Sequence, residues 1–178
     1  TFALPHDFHL DVDAPVIRVS ADRMSPYRRA IWEQTIWRRI VAKHKPDVLF
    51  SSANFGLLAS PAPQVLLVRE GGLFDSFYLS NIGPSLGARA IFLRMARRKL
   101  IIASARSSQI VLTPTQAMAN LLLSWAGELS DRVQVNQYGT ISNFSDSSPQ
   151  IRQWKEGGIL KLLYVSAYYP HKQPGLVS

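Results

Sequence analysis

Gly158-Ile159-Leu160-Lys161-Leu162-Leu163-Tyr164-Val165-Ser166-Ala167-Tyr168-Tyr169-Pro170-His171-Lys172-Gln173-Pro174-Gly175 is the stretch from which the fold of this chain is read. A short run rich in Leu, Tyr and Val ends at small residues and is followed by a lysine close to a proline, the pattern of a buried strand leading into a helix. Pro174 suits the first helical position, where a missing N–H costs nothing, and the amides at a helix start favour anions. A phosphate held there would gain from the helix dipole and from the ammonium of Lys172. The plainer reading of the same spacing is a lysine in a solvated loop.

Outward from this stretch the chain alternates between strand and helix patterns. Residues 141–158 read as a linker, with Ser142, Asn143, Ser145, Asp146, Ser147, Ser148 and Pro149 followed by a polar run to Gly157 and Gly158. Gln109 to Thr113 is another strand, and Pro114-Thr115 opens a helix running to Trp125, with Gly127 as a stop. Residues 88–106 form a long helix in which Ile91, Phe92, Met95 and Ile102 are interspersed with Arg89, Arg94, Arg97, Arg98 and Lys99. Such a basic amphipathic helix suits an anionic lipid surface, while the solvated outer face of an α/β layer explains the same pattern without a membrane.

Further upstream, Gln64-Val65-Leu66-Leu67-Val68-Arg69-Glu70 is a nearly unbroken apolar run, expected of a strand covered on both faces. It ends in Gly71-Gly72. Ligands of open α/β sheets collect beyond the carboxyl ends of the strands, which makes Arg69, Glu70, Gly71 and Gly72 positional candidates for a substrate site. The glycines permit backbone approach and Arg69 suits a charged acceptor; the alternative is a surface ion pair followed by a turn. Pro46-Asp47-Val48-Leu49-Phe50-Ser51-Ser52 is the strand before it, reached from a helix that Ser25 caps and Pro26 opens, with Ile31, Trp32, Ile36, Ile40 and Val41 at helical spacing. Residues 15–20 form a first short strand. No opening strand or glycine-rich turn is read in residues 1–14, so the chain is expected to enter its fold midway. His6 and His9 flank Asp7 there, but no third neutral ligand follows at a useful spacing and no metal is expected.

The 178 residues, 47% hydrophobic and 18% charged, are enough for one substantial core. No cysteine occurs, which excludes disulfides and thiolate metal sites. Twenty Lys and Arg against twelve Asp and Glu give a net charge of +8, which favours phosphate-bearing partners. Nucleic acid is not expected, because the cations are not interleaved with aromatics and no recognition-helix motif accompanies them. No apolar run reaches a bilayer's thickness, no G-x-S-x-G elbow is present, and neither G-x-G-x-x-G nor a P-loop appears.

Residues 164–172, Tyr-Val-Ser-Ala-Tyr-Tyr-Pro-His-Lys, resemble the opening of the C-terminal domain in family-four glycosyltransferases of the GT-B fold, commonly written V-G-R-L-x-P-x-K-G. Ala167 stands at the place of the family's arginine and Gln173 at that of its final glycine. The resemblance extends to the K-P-D-V transition at residues 45–48, the V-R-E-G-G turn, the strand followed by Thr113-Pro114-Thr115, and residues 131–140, which match the family's strand and closing turn at Tyr138-Gly139-Thr140, in the family's order from about residue 16 onward. It implies a Rossmann-like, doubly wound, largely parallel α/β fold forming an incomplete GT-B enzyme. Residues 1–140 would be the acceptor-binding domain without its opening segment, residues 141–158 the interdomain linker, and residues 159–178 the start of the donor-binding domain.

The activity so implied is transfer of a sugar from a nucleoside diphosphate sugar to an acceptor hydroxyl, with retention and without a cofactor or metal. Lys172, Ser166 and Ala167 would meet the donor diphosphate, Arg69, Glu70, Gly71 and Gly72 the acceptor, and Tyr138 and Gly139 would form the hinge. No catalytic residue is assigned. The acceptor would be a glycan, a lipid-linked or a small molecule, with the protein in the cytoplasm and an anionic inner-membrane surface as a further partner. The chain alone is expected to bind donor poorly and to be inactive. The alternative is a non-catalytic Rossmann-like module that binds a nucleotide or a protein partner.

Overall fold

The computed structural model describes residues 2–5, 16–19, 24–82 and 87–139. Strands β1 (Phe2–Pro5) and β2 (Val16–Val19) pair in parallel as a two-stranded sheet of their own. A strand therefore stands in the segment whose composition suggested none, and β2 pairs with it instead of joining the later strands. Four parallel strands form the second sheet: β3 (Leu49–Ser51), β4 (Gln64–Leu67), β5 (Ile110–Thr113) and β6 (Val133–Val135), in that spatial order. Each strand pairs with the next one in sequence, so the architecture is mixed α/β around a parallel sheet.

Between β2 and β3 the chain is helical from Pro26 to His44, in three parts. Helix α1 (Pro26–Trp32) opens with Pro26 at its first turn and Ser25 in extended conformation as N-cap, without a side-chain bond. A π-helical turn spans Glu33–Trp37, and α2 (Arg38–His44) ends where Lys45 turns left-handed at φ 44°. The wide turn sets Trp32 and Trp37, five residues apart, as stacked rings 6.3 Å between centroids. Only Val41 of this helix is buried in the described structure, and Ile31 and Ile36, expected inside from their spacing, are exposed. Gln34 fastens the helix instead, its amide donating to the Gly56 carbonyl at 3.0 Å and accepting from the Leu58 N–H at 2.9 Å.

Between β4 and β5 lie a 3-10 turn (Gly71–Leu73), α3 (Ser76–Ile82) and α4 (Gly87–Arg106). Helix α5 (Gln116–Leu123) and a second 3-10 turn (Gly127–Leu129) lead to β6. Thr115 caps α5 through its hydroxyl, which accepts from the Met118 N–H at 3.1 Å. The core is continuous from Leu66, Val68 and Val111 of the sheet region through Ile101 and Ala105 of α4 to Met118 and Leu122 of α5. One face of the sheet is thereby sealed. The residues that alternate with these, Val65, Leu67, Ile110 and Leu112, are half-buried, so the unbroken apolar run of β4 is not covered equally on both sides.

A polar group interrupts the core where loop 52–63 returns to β4. Gln64 is fully buried; its carbonyl accepts from the Leu57 N–H at 2.8 Å, and its amide donates to Ser108 Oγ at 2.9 Å and to the Leu57 carbonyl at 3.2 Å. Satisfied in this way, it ties the loop, β4 and the end of α4 into one network. The side chain lies directly against Gly56, where an added Cβ would meet its amide at 2.6 Å. Gly56 is therefore demanded by close packing.

Candidate functional site

Because β3 to β6 run in one direction, their carboxyl ends at Ser51, Leu67, Thr113 and Val135 lie along one edge of the sheet. That edge carries loop 52–56, the segment 68–73, the start of α5, and Tyr138 with Gly139. Parallel α/β sheets offer their ligand-binding positions there, because the turns leave backbone groups and helix starts facing one crevice.

Asn54 organises the first two of these loops. It holds a left-handed backbone with φ 65°, which asparagine tolerates better than most residues. Its N–H donates to the Leu67 carbonyl at 2.9 Å, and its side-chain oxygen accepts from the N–H groups of Arg69 and Glu70 at 2.8 and 3.1 Å. These bonds satisfy the backbone just past β4 and fix the direction in which Arg69 and Glu70 leave the sheet. The sequence marks Asn54 only as a polar loop residue; its left-handed turn and two long-range bonds have no local signature.

The four acceptor candidates differ in their surroundings. Arg69 is exposed, and its side chain makes no hydrogen bond or ion pair among the described residues. Glu70 is held by Arg97 at 2.8 Å, as a structural pair. Gly71 and Gly72 belong to the 3-10 turn, and a methyl at either would make ordinary contacts, the nearest being Met118 Sδ at 3.5 Å for Gly71 and the Tyr78 ring at 3.8 Å for Gly72. Neither glycine has positive φ, so the backbone does not require glycine at these positions. Tyr138 is exposed just past β6 with Gly139 beside it. Ser166, Ala167 and Lys172 lie outside the described residues, as do the linker and the proposed second domain.

Helix α4 contributes what the sequence reading did not assign. Its apolar and basic side chains are spread around its circumference and not sorted into two faces, so the amphipathic reading is corrected. Three of its arginines clamp the segment that follows β4. Arg94 donates to the Gly72 carbonyl at 3.2 Å and lies 4.8 Å from the Tyr78 ring centroid. Arg97 pairs with Glu70 and lies 5.8 Å from the centroid of Phe55. Arg98 donates to the Leu73 carbonyl at 3.4 Å and lies 3.5 Å over Trp125, whose indole N–H donates to the Phe74 carbonyl at 2.7 Å. Burial pushes the Arg98 guanidinium below its usual value, yet a guanidinium remains charged at any physiological pH. The spacing of 94, 97 and 98 places these arginines within one turn of helix, but no local pattern tells that the helix crosses the loop after β4.

Two clefts accompany these elements. One of about 310 Å³ lies beside the clamp, between α3, α4 and Trp125. The other, about 340 Å³, is lined by Arg106, Ser107, Ser108, Gln109 and Arg132 at the amino ends of β5 and β6, the opposite end of the sheet from the strand-end loops. There Arg106 is paired with Glu128 at 2.6 Å, and Arg132 donates to the carbonyls of Arg106 and Ser108, so its cations are already engaged. No helix among the described residues is long and apolar enough to cross a membrane. Comparison of the chain with protein-family models, curated proteins and solved structures gives no significant match.

Proposed function

We propose that this chain is the acceptor-side α/β domain of a GT-B glycosyltransferase together with the beginning of its donor-side domain, and that it takes part in sugar transfer from a nucleoside diphosphate sugar to an acceptor hydroxyl. The observation that carries the reading is the gathering of Asn54, Arg69, the Gly71–Leu73 turn, the capped start of α5 and Tyr138 on the carboxyl edge of an all-parallel sheet. The ordered motifs of the sequence supply the chemistry. In this reading Arg69, free of partners among the described residues, meets a polar or charged acceptor, while Asn54 sets its backbone and Glu70 braces the loop through Arg97. The full doubly wound sheet, the retaining stereochemistry, the hinge at Tyr138 and Gly139, and a cytoplasmic location at an anionic membrane surface all belong to this proposal.

Lys172, with the backbone at Ser166 and Ala167, would face the donor diphosphate. Positive charge is needed there because the departing diphosphate gains negative charge as the glycosidic bond breaks. Donor binding is tested by calorimetric titration of the chain with nucleoside diphosphates. Lys172→Gln is expected to weaken a diphosphate by about ten-fold, the loss typical of one charge-assisted hydrogen bond. An unchanged affinity would remove the donor half of the proposal. Sugar transfer by these 178 residues alone is expected to be undetectable, and measurable turnover would overturn the division into acceptor and donor parts.

A second reading, a binding module without catalysis, draws on the engagement of Glu70 by Arg97, which leaves this loop without a free carboxylate. It predicts that a ligand of the strand-end loops binds without any sugar-nucleotide preference.

A further inference from the structure

We propose that the cleft between α3, α4 and Trp125 binds a single-chain amphiphilic anion, its head group on Arg94 and Arg98 and its apolar chain along Leu79, Ile91 and Met95. This site goes beyond the sugar-transfer reading, since Arg69 does not line it, and either proposal can fail without the other.

The two guanidinium groups are the first observation. They stand four residues apart on α4, one turn of helix, and so share a side of it. Arg29, Arg97 and Arg106 each have a carboxylate, in Glu33, Glu70 and Glu128. Arg94 and Arg98 have none among the described residues, and each donates to a single carbonyl, that of Gly72 or Leu73. A guanidinium carries five N–H donors, so most of their capacity is unspent. The Nε–H of Arg94 is buried without any acceptor, an exception among native polar groups. Both cations also lie against aromatic rings, Tyr78 and Trp125, in surroundings poorer in water than the surface. Half-desolvated positive charge of this kind is stabilised by an anion that completes its hydrogen bonds.

The walls are the second observation. Apart from the two arginines, the residues lining the cleft are apolar, and Ile91 and Met95 remain 37% and 45% exposed with nothing described to cover them. The neighbouring Phe92 is 69% exposed, so this half of α4 presents apolar surface where its other half packs into the core. An inorganic anion would satisfy the arginines and leave these walls in water. A neutral apolar molecule would do the reverse. A molecule joining an anionic head to an alkyl chain satisfies both, and the volume of about 310 Å³ lies at the small end of ligand sites.

The test is calorimetric titration of the full chain with dodecyl phosphate and dodecanoate below their micelle concentrations, with inorganic phosphate, and with neutral dodecyl maltoside. Either anionic amphiphile is expected to bind at least about ten-fold more tightly than inorganic phosphate or the neutral detergent. The double variant Arg94→Gln with Arg98→Gln is expected to lose about ten-fold or more of that affinity. Ile91→Asp, at a position already open to solvent, is expected to lose a similar factor while keeping the melting temperature. It decides the matter if the double variant fails to fold. Arg89→Gln, exposed on the same helix, serves as the control and is expected to bind normally. Equal affinity for inorganic and dodecyl phosphate, or binding indifferent to Ile91→Asp, overturns the proposal.

Discussion

Gly56 and Gly71 look alike in the sequence, each a glycine beside a strand end, but the structure asks different things of them. At Gly56 a Cβ would press on the buried Gln64 amide at 2.6 to 2.8 Å, and that amide cannot move without releasing Leu57 and Ser108. Gly56→Ala is expected to destabilise by about 1–3 kcal/mol, as overpacking does. Gly71→Ala, with its nearest contact at 3.5 Å, is expected to stay within about 1 kcal/mol; midpoints of chemical denaturation separate the two. Glu128 offers a test by pH. Its carboxylate is held below the usual range first by its own backbone N–H and then by the hydrogen bond from Arg106. A lowered folded value means that the contribution is complete above the ordinary value of 4.5 and is lost as pH falls through the folded value. The stability difference between the protein and Glu128→Gln is therefore expected near neutral pH and should vanish in acid, as urea midpoints at both conditions would show.

Among the elements, the helix between β2 and β3 shows how far sequence periodicity carries. Ser25-Pro26 marked its start and Pro46 bounded its end, and both agree with a helical run from Pro26 to His44. Its inward face was not legible. Periodicity assumes one regular helix, and the π turn shifts the phase between Ile31 and Val41, so Ile31 and Ile36 face solvent while Gln34 makes the long-range bonds. Gln34→Ala is expected to cost about 1–2 kcal/mol and to speed hydrogen exchange at the Leu58 amide, which loses its acceptor. Unchanged exchange there would show that the loop is held by other contacts. The arginine clamp was illegible for a related reason. The basic residues of α4 were visible as charges, but their partners Gly72, Leu73 and Trp125 are 22 to 27 positions away and carry no mark of it.

For the molecule as a whole, the alternation of strand and helix patterns disclosed a parallel α/β sheet, because short apolar runs separated by helical stretches can pair side by side only through crossover connections. Pairing partners were not disclosed. Phe2–Pro5 is four residues long, includes a proline and sits among charged neighbours, so nothing local announced the strand that β2 pairs with. The sheet's uneven burial leads to an ordering of amide exchange. Val68 and Val111, bonded to Leu112 and Arg132 within the core, are expected to exchange last, and Leu49 on the outer strand β3 markedly earlier. Simultaneous exchange would mean that the sheet opens only as a unit. The five-residue turn at Glu33–Trp37 finally acts as a splice between α1 and α2. Each residue of regular helix turns the axis by about 100° and advances it by about 1.5 Å, so excising one residue there would restore the ordinary pitch. The same excision would leave α1 and α2 close to their present phase, because the widened turn already takes up the extra residue.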